Sequence, residues 1–260
     1  MQHDVKITLE PFQHVVLRQV MPGHLAREEA LLAEHARRLG LSVTLGSESM
    51  MERGRLDLLP GSLVAGTIPF VLHALRRLKI PTPVHAPYPQ ALHPWLHRSV
   101  ARWPRLADVL TRLHSTGAPV FVKPAVGWKR FTGFVATVAD DPRFQGASKR
   151  NPVWTSEPIE LVSEWRAYVA HGKILAIAFA DHGGDSTRKP DENVIQAAVA
   201  ALGKAGEAPA GYAIDFGVDR HGSTVLVEVN DGFSLGAYDN VDAATYWTVI
   251  AARWTELLTI

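Results

Sequence analysis

The chain has 260 residues, 47% hydrophobic and 20% charged, which suffices for a sizeable core in one large or two modest domains and argues against disorder. Lysine plus arginine number 27 and aspartate plus glutamate 26, a formal net charge of +1, so no global field draws the molecule to nucleic acid or to an anionic membrane. Cysteine is absent, which excludes disulfides, thiolate metal sites and cysteine nucleophiles.

The first residues, Met1-Gln2-His3-Asp4-Val5, lack the basic start and apolar run of a signal peptide. No apolar stretch approaches the roughly 20 residues needed to cross a bilayer. A cytoplasmic location with no membrane partner is expected.

Up to about Ile80, strand-like and helix-like segments alternate. Val15-Val16-Leu17 is β-rich, and His24 to Leu39 carries apolar residues at helical spacing, with Gly40 in the position of a helix C′ residue. Leu41 to Leu45 and Ser62 to Gly66 read as strands, and Phe70 to Leu78 as a helix that ends before Pro81. This alternation predicts a small parallel α/β layer. Prolines at 81, 83, 87, 89 and 94 forbid a continuous helix from 80 to 94. The boundary is placed there, giving domains at 1–85 and 86–260.

Leu92 to Leu113 shows two short helical patterns. Strands are then expected at Pro119 to Lys123, Phe131 to Ala139, Pro152 to Ser156, Leu161 to Ala170 and Lys173 to Ala180, the last two joined by a His171-Gly172 hairpin turn. A helix over Asp191 to Leu202, a hairpin of Gly211 to Val218 with Thr224 to Val229, and a helix over Val241 to Leu258 complete an α+β region.

Three segments carry candidate chemistry. In the last hairpin, alternation points Glu228 and Asn230 to one face, with Val225, Val227 and Val229 to the other, and pairing can bring Asp215 to the polar face. Two carboxylates and an amide oxygen are hard ligands of the kind magnesium takes, although a solvated sheet face alternates in the same way. In Phe121-Val122-Lys123-Pro124 a lysine interrupts an apolar strand, where a phosphate oxygen would be a suitable partner for a buried ammonium. An edge-strand lysine reaching solvent is the commoner alternative. In Glu160-Leu161-Val162-Ser163-Glu164-Trp165-Arg166 the three charged residues share parity, and Arg166 can hold a carboxylate or phosphate bidentately. Asp181 to Pro190, with Arg188 and Lys189, is a polar loop suited to a lid or to plain surface. The 12 histidines show no zinc-protease spacing, and no P-loop, Gly-x-Ser-x-Gly or Gly-x-Gly-x-x-Gly pattern is present.

Taken in order, Phe121-Val122-Lys123-Pro124, Lys129-Arg130-Phe131-Thr132-Gly133, Ser163-Glu164-Trp165-Arg166, Gly211-Tyr212-Ala213-Ile214-Asp215 and Val227-Glu228-Val229-Asn230-Asp231-Gly232 resemble the ATP-grasp superfamily, and most closely its arginine-and-two-lysines clade. The resemblance runs from about Leu63 to Tyr238. It implies a small Rossmann-like N-terminal domain that helps to bind the acceptor, followed by an ATP-grasp fold of two α+β lobes that hold ATP between them. It implies that Lys123 contacts the α- and β-phosphates and that Asp215, Glu228 and Asn230 hold Mg2+. Glu164 would bond the ribose, Glu157 would belong to the segment lining the adenine pocket, and Lys129 and Thr132 to the loop over the phosphates. Arg166 would stand near the transferred phosphate or the substrate carboxylate, with Arg188 or Lys189 supplying a further cation. Many family members carry another lysine upstream, and the candidates here are Arg98, Arg102 and Arg105. The implied activity is an ATP- and magnesium-dependent ligase that joins a small-molecule or peptide carboxylate to an amine through an acylphosphate. A phosphotransferase and a nucleotide-binding protein without catalysis are the alternatives.

Overall fold

The computed structural model describes residues 12–84, 86–125, 131–180 and 184–259. The chain begins with β1 (His14–Arg18), α1 (Arg27–Arg38), β2 (Ser42–Gly46), α2 (Glu48–Glu52), β3 (Ser62–Ala65) and α3 (Ile68–Arg77). The three strands are parallel in the order β2-β1-β3. β1 lies in the middle with Val15, Val16 and Leu17 wholly buried, as a strand covered on both faces requires. His14 ties the layer together by bonding Ser62 Oγ at 3.0 Å and Thr44 Oγ1 at 2.8 Å. α1 turns Leu32, Ala33 and Ala36 inward and ends at Gly40 with φ +71°, where the Leu41 N–H reaches back to the Ala36 carbonyl. α2 was not expected. Its five residues are too few to display a helical period, and it rests on the Ser47 cap, which accepts from the Met50 N–H.

Among the described residues the proline-rich run stays irregular to residue 89, as anticipated, but a 3-10 helix at Gln90–Trp95 contains Pro94. β4 (Val100–Trp103), α4 (Leu106–Thr116), β5 (Val120–Pro124), β6 (Phe134–Ala136) and β7 (Val153–Ser156) follow. These strands form an antiparallel sheet in the order β4-β7-β5-β6, with α4 packed on it through Leu106, Val109 and Leu113. Two expectations are corrected here. The first of the two helical patterns over 92–113 gives a 3-10 turn followed by a strand, because Val100 to Trp103 pairs with β7. The strand expected over 131–139 is confined to three residues.

β8 (Leu161–Ala170), β9 (Lys173–Phe179), α5 (Glu192–Lys204), β10 (Gly211–Asp219), β11 (Thr224–Asp231) and α6 (Ala243–Leu258) complete the chain. This antiparallel sheet has the order β11-β10-β8-β9. His171 and Gly172 both have positive φ, 48° and 72°, the geometry of a two-residue hairpin turn. One face packs Ile195 and Leu202 of α5 against Val169, Ile214, Phe216 and Leu226. The other receives α6, and the same apolar cluster continues through Trp247, Ile250 and Trp254 into Val15, Leu17 and Leu63 of the parallel layer. Trp254 Nε1 also donates to the Ser62 carbonyl at 2.7 Å. The mixture of α/β and α+β organisation is the one expected from the sequence. Among the described residues, no helix is long and apolar enough to cross a membrane.

Candidate active site

Pairing across β11, β10 and β8 sets Glu228 opposite Asp215 and Asp215 opposite Arg166, with Glu164 two residues along β8. The parities read from the sequence hold for these residues within each strand, and the pairing brings the two sets to one face. They fail at one point. A bulge shifts the register so that Phe216 faces Leu226 rather than Val227, and Leu226 takes the core seat beside Val229 while Val227 stays half-buried. Arg98 secures the bulge by donating to the Leu226 carbonyl at 2.6 Å and the Val227 carbonyl at 2.9 Å.

Lys123 approaches from β5 of the other sheet and is 9% exposed. Its Nζ bonds Glu228 Oε2 and stands 4.4 Å from the centre of the Tyr88 ring. Burial works against the ammonium, but Glu228 and Tyr88 outweigh it and hold the lysine above its usual range. Burial likewise disfavours the Glu228 carboxylate, yet Lys123, with help from Arg166 and Asn230, brings it below the usual range. Arg166 clamps Asp215 with two bonds of 2.7 Å, donates to the Gly236 carbonyl at 3.0 Å and lies 4.4 Å from the Tyr238 ring centre. Asn230 Nδ2 donates to Asp215 Oδ2 at 2.9 Å. Burial pushes Asp215 upward while Arg166 opposes it. Glu164, with no such clamp, is raised to about 7 by burial and then by the charges of Asp215 and Glu228.

A cavity of about 680 Å³ opens over this cluster, with Lys123, Glu228, Asn230, Thr132, Tyr88 and Arg102 in its wall. Asp215 and Arg166 lie beneath. A hollow of about 410 Å³ beside Leu106 and Phe144 has none of these residues in its wall. Glu164 shares the polar face. Glu157 is exposed on the segment between β7 and β8, where it accepts the Ser99 N–H at 2.9 Å. Arg188 and Lys189 are exposed; the Arg188 carbonyl accepts from Ser163 Oγ and Trp165 Nε1 on either side of Glu164, and its guanidinium lies beside Gly222 in the β10–β11 turn. Lys129 lies outside the described residues. Of the three upstream arginines, Arg98 is held by backbone carbonyls and Arg105 pairs with Asp108 on the surface at 2.8 Å. Arg102 alone of the three lines the cavity.

The sequence reading did not single out Tyr88 as the aromatic floor under Lys123, Arg98 as the brace of the bulge, or the Gly236 carbonyl as a partner of Arg166. Tyr88 lies between Pro87 and Pro89, and Pro89 biases its backbone toward extended conformations. Among the described residues no three histidine, aspartate or glutamate side chains form a metal-binding group. The oxygen donors that converge are two carboxylates and one amide, with Lys123 and Arg166 as their counter-ions. This donor chemistry fits magnesium, which takes few protein oxygens and completes its shell with phosphate and water.

Residues 96–249 match the family model described as the ATP-grasp domain of the arginine-and-two-lysines clade, family 2. The match takes in more than half of the chain, and the chain belongs to this family. Among solved structures, a RimK domain ATP-grasp protein from Sphaerobacter thermophilus is similar, with a TM-score of 0.53 and 15% identity over 95% of this chain and 100% of that one. The D-cycloserine synthetase DcsG gives 0.53 and 16% over 94% and 98%. The N5-carboxyaminoimidazole ribonucleotide synthetase from Thermotoga maritima gives 0.50 and 11% over 92% and 75%. At these identities the likeness is one of fold. No curated protein matches the chain.

Proposed function

We propose that the protein is an ATP- and magnesium-dependent ligase that activates a substrate carboxylate as an acylphosphate and passes the acyl group to an amine. One observation carries the reading: a buried lysine from one sheet bonds Glu228 of another in the wall of a cavity that Asn230 also lines, and Asn230 in turn bonds Asp215. Family membership supports the nucleotide, and two of the solved neighbours are named as synthetases, which supports a joining outcome.

In this reading residues 86–260 bind the nucleotide and residues 1–85 contribute to the acceptor side. Lys123 takes the α- and β-phosphates, and Arg102 serves as the upstream cation. Glu164 accepts a ribose hydroxyl, Glu157 belongs to the segment along the base, and Lys129 and Thr132 cover the phosphates. Asp215, Glu228 and Asn230 would hold Mg2+, which when bound neutralises phosphoryl oxygens. A carboxylate oxygen attacks the γ-phosphorus, and ADP leaves with the electrons of the broken P–O bond. The amine nitrogen then attacks the acyl carbon, phosphate departs, and the amine proton passes to solvent. Arg166, with Arg188 and Lys189 brought in by their loop, stabilises the charge on the transferred group. The partners are small-molecule or peptide carboxylates and amines.

The test is incubation with ATP, magnesium and pooled carboxylates and amines, with ADP release measured beside product masses. A joined product that requires both pools, and is lost in Lys123→Met, is expected. A stable phosphorylated product would identify a phosphotransferase, and absence of ADP with every pool would leave a binding protein.

A further inference from the structure

Outside the cluster just described, a second gathering of charge lies on the parallel layer, where α2 and α3 pack side by side and end together. Arg53 and Arg55 follow α2, Arg76 and Arg77 close α3, and Lys79 follows it. All five are exposed, and none lines the cavity or the smaller hollow. Arg77 joins the two groups. Its guanidinium donates to the Leu56 carbonyl at 2.8 Å and lies 3.9 Å from where a Cβ on Gly54 would stand. Leu59, on the segment that Arg77 holds, and Leu78, at the end of α3, are 54% and 36% exposed.

Basic residues at helix ends ordinarily complement the helix dipole. That account does not cover this group, because α2 has only five residues and because Arg55 and Lys79 lie beyond the helices. Glu52 and Asp57 are close in the chain, yet none of the five cations has an ion-pair partner among the described residues. Lys79 is the sharper sign. α1, α2 and α3 end alike, with a residue of positive φ and then an N–H that reaches back over the last turn: Leu41 to Ala36, Arg55 to Met50 and Ile80 to Leu75. Gly40 and Gly54 hold the positive position in the first two at φ 71° and 70°, but Lys79 holds it in α3 at 60°. A lysine costs more than a glycine in that conformation, and what it adds is a cation.

We propose that this end of α2 and α3 docks an acidic polypeptide segment that also carries apolar side chains, its carboxylates on Arg53, Arg55, Arg76 and Lys79 and its apolar groups on Leu59 and Leu78. Guanidinium forks match carboxylates bidentately. The outermost carbonyls of the two helices, those of Glu52 and Arg77, accept no N–H from the described backbone and point outward along the helix axes. A polypeptide can donate to them, whereas a polyphosphate has no N–H to offer. Two part-exposed leucines bury too little to hold the protein on a bilayer. The surface lies apart from the cavity and does not rest on the ligase reading.

The experiment is fluorescence anisotropy of a labelled glutamate-rich peptide with interspersed leucines, titrated with the whole chain. Its counterpart with glutamine for glutamate, inorganic polyphosphate, and vesicles of phosphatidylserine with phosphatidylcholine are the comparisons. The acidic peptide is expected to bind more tightly than all three, with an affinity that falls as salt rises. Arg53→Glu combined with Arg76→Glu should weaken binding by at least about tenfold with circular dichroism unchanged. Lys79→Gly should weaken it by about two- to fivefold without lowering the midpoint of urea unfolding, since glycine is at ease at positive φ. No binding of the acidic peptide, equal binding of its glutamine counterpart, affinity that these variants leave intact, or tighter binding of polyphosphate or vesicles would each overturn the proposal.

Discussion

Arg166 and Asp215 pair at the base of the cavity with 8% and 1% of their surfaces exposed. Removing one member of such a pair leaves an uncompensated buried charge, at about 3–5 kcal/mol. Arg166→Met is therefore expected to lower stability by about that much in urea unfolding, and Asp215→Asn to do likewise, because it leaves the buried Arg166 guanidinium without its carboxylate. Glu164 makes a separate prediction. Its native carboxyl titrates near about 7, raised by burial and by Asp215 and Glu228, whereas the unfolded one keeps the ordinary carboxylate range. Between the two the native state holds the extra proton, so stability falls as pH rises, and the loss is complete above about 7. Melting temperatures between pH 5 and 8 should show this slope in the wild type and a flatter one in Glu164→Gln. Strand parity made two separate faces legible, Glu164 with Arg166 and Glu228 with Asn230 and Asp215, but not the β8–β10 pairing that merges them. The partner of each charge was not legible, because Tyr88, Gly236 and Lys123 reach the cluster from distant parts of the chain.

At the scale of elements, α6 rests directly on β10. A Cβ at Gly211 would fall 2.0 Å from the Val249 carbonyl oxygen and 2.9 Å from the Arg253 nitrogen, so the helix has no room to accommodate a side chain there. Gly211→Ala should cost roughly 1–3 kcal/mol through overpacking. Urea denaturation would measure the loss, and nucleotide affinity should persist in the folded fraction. The long strands and amphipathic helices were readable because their periods of two and about 3.6 persist over whole segments. The bulge at Val227, the short α2 and the strand β4 were not. A bulge breaks the period on which the reading depends, and elements of four or five residues contain too little of any period to display it.

At the scale of the molecule, the Lys123–Glu228 bond joins the β4-β7-β5-β6 sheet to the β11-β10-β8-β9 sheet. Lys123 and Arg166 already neutralise the carboxylates proposed for magnesium, so magnesium alone should bind weakly and nucleotide should draw it in by offering phosphates to the same cations. The measurement that bears most directly on this account is calorimetric titration of a non-hydrolysable ATP analogue with and without magnesium, on the wild type and on Glu228→Gln combined with Asn230→Ala. Binding that strengthens with magnesium in the wild type and loses that dependence in the folded double variant is the predicted result. No nucleotide binding by folded wild-type protein, or a magnesium dependence unchanged in the double variant, would contradict it.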